Sequence, residues 1–147
     1  MKRRPLIFAL AALVVLPLFA AAPAGIAKPG KPAKPLHIAK GTEVKLADYL
    51  VPGKTVIFDF YSDYCGPCVQ MSPMLEKLHA TRADVVVVKV DINRPGVNGI
   101  DWKSPTAAQF KLNSIPHFKV YGPDGKLKAE DSTPASAARR LVMGMMN

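Results

Sequence analysis

The sequence predicts an α/β fold, with a mixed central sheet and helices on both faces. Three observations carry this expectation. β-branched and aromatic runs at Thr55–Tyr61 and Val85–Ile92 alternate with segments of helical apolar spacing. The second run, VVVVKVDI, is almost continuously apolar, as a strand covered on both faces should be. Near the C-terminus, Gly122-Pro123-Asp124-Gly125 separates two further short runs, His117–Tyr121 and Lys126–Glu130. That is a hairpin signal, and it adds antiparallel pairing to an otherwise parallel sheet.

The elements follow in order. Met1–Arg4 is basic, Leu6–Ala22 runs without a charge, and small residues follow up to Ala27. Residues 1–27 therefore read as an export segment. It is either a signal peptide cleaved after Ala24 or Ala27 or a retained anchor, since about 17 apolar residues lie at the lower limit for spanning a bilayer. Residues 28–35 are a Lys/Pro-rich linker that is not expected to pack. The folded domain is expected over 36–147. Leu36–Ala39 is a first short strand, and Glu43–Leu50 a short helix ended by Pro52-Gly53. After the strand Thr55–Tyr61, the positions Cys68, Met71, Leu75 and Leu78 place a helix over Gly66 to about Thr81, with Pro73 kinking it. Ser104-Pro105 is an N-cap followed by a first-turn proline, opening a helix to about Lys111. Thr133-Pro134 repeats that start, and Ala138, Leu141, Val142 and Met145 give the last helix one apolar stripe.

Composition narrows the function classes. The chain has 147 residues, 49% hydrophobic and 21% charged, which excludes a disordered polymer. Its formal charge of +9 is concentrated at the start: the part beyond residue 35 carries 14 basic and 11 acidic residues, a net of +3. A nucleic-acid partner is therefore not expected. Two cysteines exclude a disulfide framework and a four-cysteine zinc site.

Both cysteines fall in Tyr64-Cys65-Gly66-Pro67-Cys68, between a buried strand and a helix. Cys65 stands at the helix N-terminus, where unpaired N–H groups and the helix dipole favour a negative sulfur. The thiolate is the reactive form, so the placement activates Cys65 near neutral pH. Cys68 lies one helical turn further on, within reach of a mixed disulfide on Cys65. Only Cys65 is at the helix end, so it is expected to be the exposed, acidic thiol and Cys68 the shielded one.

The run Phe58-Asp59-Phe60-Tyr61-Ser62-Asp63-Tyr64-Cys65-Gly66-Pro67-Cys68 resembles the strand-to-active-site segment of the thioredoxin family, and the resemblance extends over roughly 55–147. It implies a thioredoxin-like fold and thiol–disulfide exchange, with Cys65 as nucleophile and Cys68 as resolving residue. Asp59 resembles the family's buried aspartate, a proton acceptor, and Lys89 the lysine beside it. Ser114-Ile115-Pro116 resembles the family's cis-proline loop, which lies against the active-site disulfide. Tyr64, Gly66, Pro67, Ile115 and Pro116 then face the substrate. The implied cycle needs no organic cofactor and no metal. Its partners are disulfide-containing client proteins and, outside the cytoplasm, a membrane electron donor. The chain departs from the family at Tyr64, where tryptophan is usual, and at Val69, where a basic residue is common. The stretch Arg94–Ala107 looks long; it holds the sole tryptophan, Trp102, and is expected to rim the site.

The expected function is an exported protein-disulfide reductase, periplasmic if residues 1–27 are cleaved and held at the inner membrane facing the periplasm if they are kept. A disulfide oxidase or isomerase is the alternative in the same class. A redox-inert or copper-handling binding module is the alternative in another, with Cys65, Cys68 and His117 as the ligand set. Asp59 and Lys89 also admit plain readings as half-exposed or solvated strand residues. His37 and His79 are expected at the surface.

Overall fold

The structure is a computed structural model that describes residues 30–131 and 136–146. The expected export segment 1–27 and the expected Thr133-Pro134 helix start lie outside those residues. The strands are β1 (Leu36–Ile38), β2 (Thr55–Tyr61), β3 (Val85–Asp91), β4 (His117–Tyr121) and β5 (Leu127–Glu130). The helices are α1 (Gly66–Thr81), α2 (Pro105–Gln109) and α3 (Ala137–Met146), with one turn of 3-10 helix at Leu46–Tyr49. The strands form one sheet in the order β1-β3-β2-β4-β5. β3 runs parallel to β1 and β2, while β2–β4 and β4–β5 pair antiparallel. This is the mixed sheet of a thioredoxin-like fold.

Two apolar layers sandwich the sheet. Ile57, Val85, Val87, Phe118 and Val120 meet Leu75 and Leu78 of α1 and Ala138 and Val142 of α3. On the other face, Val56, Phe58, Phe60, Val86, Val88 and Val90 meet Leu46 of the 3-10 turn and Ala107 of α2. β2 and β3 are thus covered on both sides, as their unbroken apolar character requires.

Several expectations are corrected. Glu43–Leu50 yields only the 3-10 turn, and α2 stops at Gln109, two residues short of Lys111. The described part of the linker does pack: Lys31 Nζ donates to the carbonyls of His79 and Arg82, at the end of α1. A cation there neutralises the carbonyl end of the helix. His79 is not a surface residue. Its ring is fully buried, Nδ1 accepts from Val87 N–H at 3.0 Å, and Nε2 lies 2.9 Å from Pro32 O. Strand β1 pairs with β3 only from Val88 onward, so the imidazole satisfies the amide just before that pairing begins. His37 is exposed, as expected.

Asp131 was not singled out in the sequence, yet it joins β4 to α3. Its backbone N–H donates to Phe118 O at 2.9 Å, and its Oδ2 accepts from Phe118 N–H at 3.1 Å. Oδ1 accepts from Arg139 N–H at 3.0 Å and from the Ser136 hydroxyl. Ser136 Oγ also accepts from Arg139 N–H at 3.3 Å, a cap at the start of α3. The Asp131→Ala variant leaves the buried Phe118 amide without its partner. It is expected to lose about 2–4 kcal/mol in urea unfolding, and Asp131→Asn, which retains one acceptor oxygen, less than half of that.

Candidate active site

The site forms where β2 passes into α1. Cys65 is the N-cap of α1, in extended backbone conformation, and Pro67 occupies the first turn, where no amide donor is needed. Cys65 and Cys68 form a disulfide with a Cα–Cα distance of 5.2 Å. Cys65 Sγ accepts from Cys68 N–H at 3.2 Å. The sulfur therefore occupies the position of a capping side chain, and the same amide would stabilise its thiolate.

The predicted contrast in exposure is not present in this disulfide form. Cys65 is 3% exposed and Cys68 1%. Both pack with Tyr61, and Ile100 and Ile115 cover the cluster. Helix position alone leaves Cys65 open; residues from two other segments shield it. Tyr64, Gly66 and Pro67 around it remain exposed.

The predicted docking loop lies beside the disulfide. The Ile115–Pro116 peptide bond is cis, and Ile115 O lies 3.7 Å from Cys65 Sγ. Arg139 of α3 donates to Pro116 O and pairs with Asp131 at 3.7 Å, tying the loop to the β4–α3 junction. His117 is not drawn to the cysteines. It lies edge-on to Phe60 on the α2 face, with Nε2 3.6 Å from Glu130, and burial lowers its pKa. Among the described residues no group of three His, Cys, Asp or Glu side chains is arranged to hold a metal ion.

Asp59 and Lys89 are brought together. They stand opposite each other in the β2–β3 register, each 1% exposed, with Lys89 Nζ 3.5 Å from Asp59 Oδ2. Neither carboxylate oxygen of Asp59 has a hydrogen bond. Burial raises its pKa from 3.8 to about 6, with the Lys89 charge opposing the shift. Lys89 is further held by a hydrogen bond to Ser72 Oγ of α1, and it sits over the Tyr61 ring at 4.4 Å. Tyr61 follows Asp59 by two residues, so both point to the same face of β2, about 7 Å apart along the strand. The carboxylate thus lies one pleat behind the ring that touches the disulfide. Burial, with Asp91, Asp63 and Asp59 nearby, holds the Tyr61 phenol above its ordinary range, and its hydroxyl meets His37 Nδ1 at 2.9 Å.

Sequence reasoning missed Ser72, Tyr61 and Arg139. Ser72 follows Cys68 by four residues and so shares its helix face, and Tyr61 shares the face of Asp59. Both were open to periodicity arguments. No local signal pointed Arg139 at Pro116. The stretch from 94 does rim the site: Tyr64 Oη donates to Asn98 Oδ1 at 3.2 Å, and Ile100 packs on the disulfide cluster. Trp102 stands out from the loop, 41% exposed.

The raised Asp59 pKa has a consequence for stability. Between about pH 4 and pH 6 the folded protein holds a proton that the unfolded chain has released, so stability falls as pH rises through that window. The shift corresponds to about 3 kcal/mol. Asp59→Asn removes the dependence. The stability difference, variant minus parent, is expected to be about 3 kcal/mol more favourable at pH 8 than below pH 4, read from denaturant unfolding at both pH values.

Comparison with known proteins agrees with this geometry. Residues 41–146 match the profile of the family described as Thioredoxin. The chain is 36% identical over 75 residues to a thioredoxin of Streptomyces clavuligerus, covering 51% of this chain and 63% of that protein. It is 31% identical over 91 residues to a thioredoxin of Mycoplasmoides gallisepticum, covering 62% and 80%. The structure of thioredoxin f2 from Chlamydomonas reinhardtii superposes with a TM-score of 0.53 at 29% identity, covering 77% of this chain and 94% of that one. With the profile spanning strands β2 to β5, the cysteine pair and the Ile115–Pro116 loop, the chain belongs to the thioredoxin family, a family of thiol–disulfide oxidoreductases.

Proposed function

We propose that the chain is an exported protein-disulfide reductase that works through Cys65 and Cys68. One observation carries the reading: the cysteine pair caps α1, with Cys65 Sγ on the Cys68 amide. In the reduced protein, the Cys65 thiolate attacks one sulfur of a client disulfide, and the other client sulfur leaves as a thiolate. Cys68 then gives its proton to Asp59 and attacks Cys65 Sγ. The second client sulfur is released, and the two electrons of the dithiol have passed to the client. A carboxyl with a pKa of about 6 is mostly ionised at pH 7, yet it binds a proton more readily than an ordinary aspartate.

The direction rests on Gly66 and Pro67. Neither offers a side-chain donor or a charge to the Cys65 sulfur, leaving the helix end and the Cys68 amide as its stabilisers. That supports a modest shift of the thiol and a couple nearer about −270 mV than about −120 mV. Export is supported by the basic start and uncharged run of residues 1–27. Outside the cytoplasm the pair needs a reductant, for which a membrane electron donor is the fitting class. Ile115, beside Cys65 Sγ, supplies backbone for an extended client segment to pair with.

Four measurements test this reading. With dithiothreitol present, the protein is expected to reduce insulin, and Cys65→Ser to abolish the activity. Cys68→Ser, expressed in the native host, is expected to accumulate clients disulfide-linked to Cys65 in the exported fraction. Equilibration with a glutathione series is expected to give a potential near the reducing value, and a value near the oxidant end moves the reading to oxidase or isomerase. Asp59→Asn is expected to slow release of the mixed disulfide at pH 7 by at least about tenfold in stopped-flow measurements.

A further inference from the structure

We propose that Ile100 is a specificity-determining residue, held over the disulfide by a braced loop so that only an extended client segment reaches Cys65. The proposal rests on the reductase reading and names the kind of client that this site accepts.

The loop from Asn93 to Asp101 is closed on itself at its base. Arg94 makes a two-pronged contact with Asp101, 2.6 Å from Nε to Oδ2 and 3.0 Å from Nη2 to Oδ1. Asn93 Nδ2 donates to Gly99 O at 2.6 Å, and Asn93 Oδ1 accepts from Asp101 N–H at 3.2 Å. The base is also wedged from below. Gly41 adopts φ +76°, and a Cβ there would lie 2.5 Å from the Arg94 backbone nitrogen. Two side chains of this loop then meet the site, Asn98 at the Tyr64 hydroxyl and Ile100 on the disulfide cluster.

This arrangement accounts for the 3% exposure of Cys65. A helix N-cap flanked by exposed Tyr64, Gly66 and Pro67 is not buried by its own segment. Cys65 is buried in a cluster with Tyr61 and Cys68, and Ile115 and Ile100 pack against that cluster. Ile115 belongs to the loop whose backbone receives the client, whereas Ile100 adds only bulk. A slot between two branched side chains admits a single extended chain. It disfavours a cystine set in a folded surface, because neighbouring groups of that surface meet Ile100 before the sulfurs meet. Discrimination by such a clash costs nothing with the preferred client.

The test reads size selectivity in two ways. In a reduced Cys68→Ser background, Cys65 is alkylated with iodoacetamide and with a polyethylene-glycol maleimide. Ile100→Ala is expected to raise the maleimide-to-iodoacetamide rate ratio about fivefold. In the two-cysteine protein, the same substitution is expected to raise the kcat/KM ratio of insulin to a short linear disulfide-linked peptide by a similar factor. Asn98→Ala removes the loop's bond to Tyr64 at an exposed position and is expected to move both ratios the same way, about twofold. Unchanged ratios in a folded Ile100→Ala protein overturn the proposal. If that variant does not fold, an unchanged alkylation ratio in Asn98→Ala overturns it. Failure of the parent protein to reduce either substrate removes the reductase reading instead, and the alkylation ratio alone then decides whether Ile100 covers Cys65.

Discussion

The burial of β2 on both faces is the constraint on which the rest of the structure depends. The strand lies between β3 and β4, with α1 and α3 on one side and α2 on the other. Every residue from Val56 to Tyr61 is taken out of water. Phe58 and Phe60 use that position for packing, whereas Asp59 is charged and has no hydrogen bond on either oxygen. An isolated buried carboxylate is costly, and the chain limits the cost with Lys89 across the register at 3.5 Å. The compensation is incomplete, which is why the Asp59 pKa stays raised.

The same constraint orders the cysteine site. Tyr61 ends the strand on the face that carries Asp59, and its ring lies between the Lys89 ammonium and the disulfide. α1 starts five residues later, and its first free amide that can reach back, that of Cys68, meets the Cys65 sulfur. The Cys65 sulfur takes a hydrogen bond from the backbone of its own helix, while the Asp59 carboxyl is set by burial and by Lys89 of the neighbouring strand. Two separate local environments thus meet at one aromatic ring.

The parts of this arrangement that were legible in the sequence are those that local spacing encodes. β2 and α1 appear at their expected boundaries because a seven-residue β-branched and aromatic run and a helical apolar period are both strong signals. The cysteine motif identified itself, and the resemblance placed Asp59, Lys89 and Pro116. Exposure was misjudged wherever it depended on a distant segment. Cys65 is expected to be open because its own segment leaves it open, whereas Ile100, 35 residues away, and Ile115 pack on the cluster that holds it. His79 is expected at the surface as a polar residue, although it follows buried Leu75 by four positions and so shares its helix face. It is buried because its ring takes the Val87 amide on the side of β3 that β1 does not yet reach, and the Lys31–Pro32 segment lies across it. Asp131 escaped notice for the same reason, since its partners Phe118 and Arg139 lie on either side of it in two different elements.

These long-range contacts share a logic. Each satisfies a backbone group that regular structure leaves unpaired: the Val87 amide by His79, the Phe118 amide by Asp131, the Pro116 carbonyl by Arg139 and the last carbonyls of α1 by Lys31. A sheet this small has many such ends, because β1 is three residues long and β5 four. Unpaired buried amides and carbonyls are expensive, so a short-stranded sheet needs side chains to complete it. Two of these, Asp131 and Arg139, converge on the segment that carries Ile115 against the cysteines. The anchoring of the Ile115–Pro116 loop beside the disulfide is therefore a by-product of closing the sheet, and substitutions made for stability at the β4–α3 junction act directly on the geometry of the site.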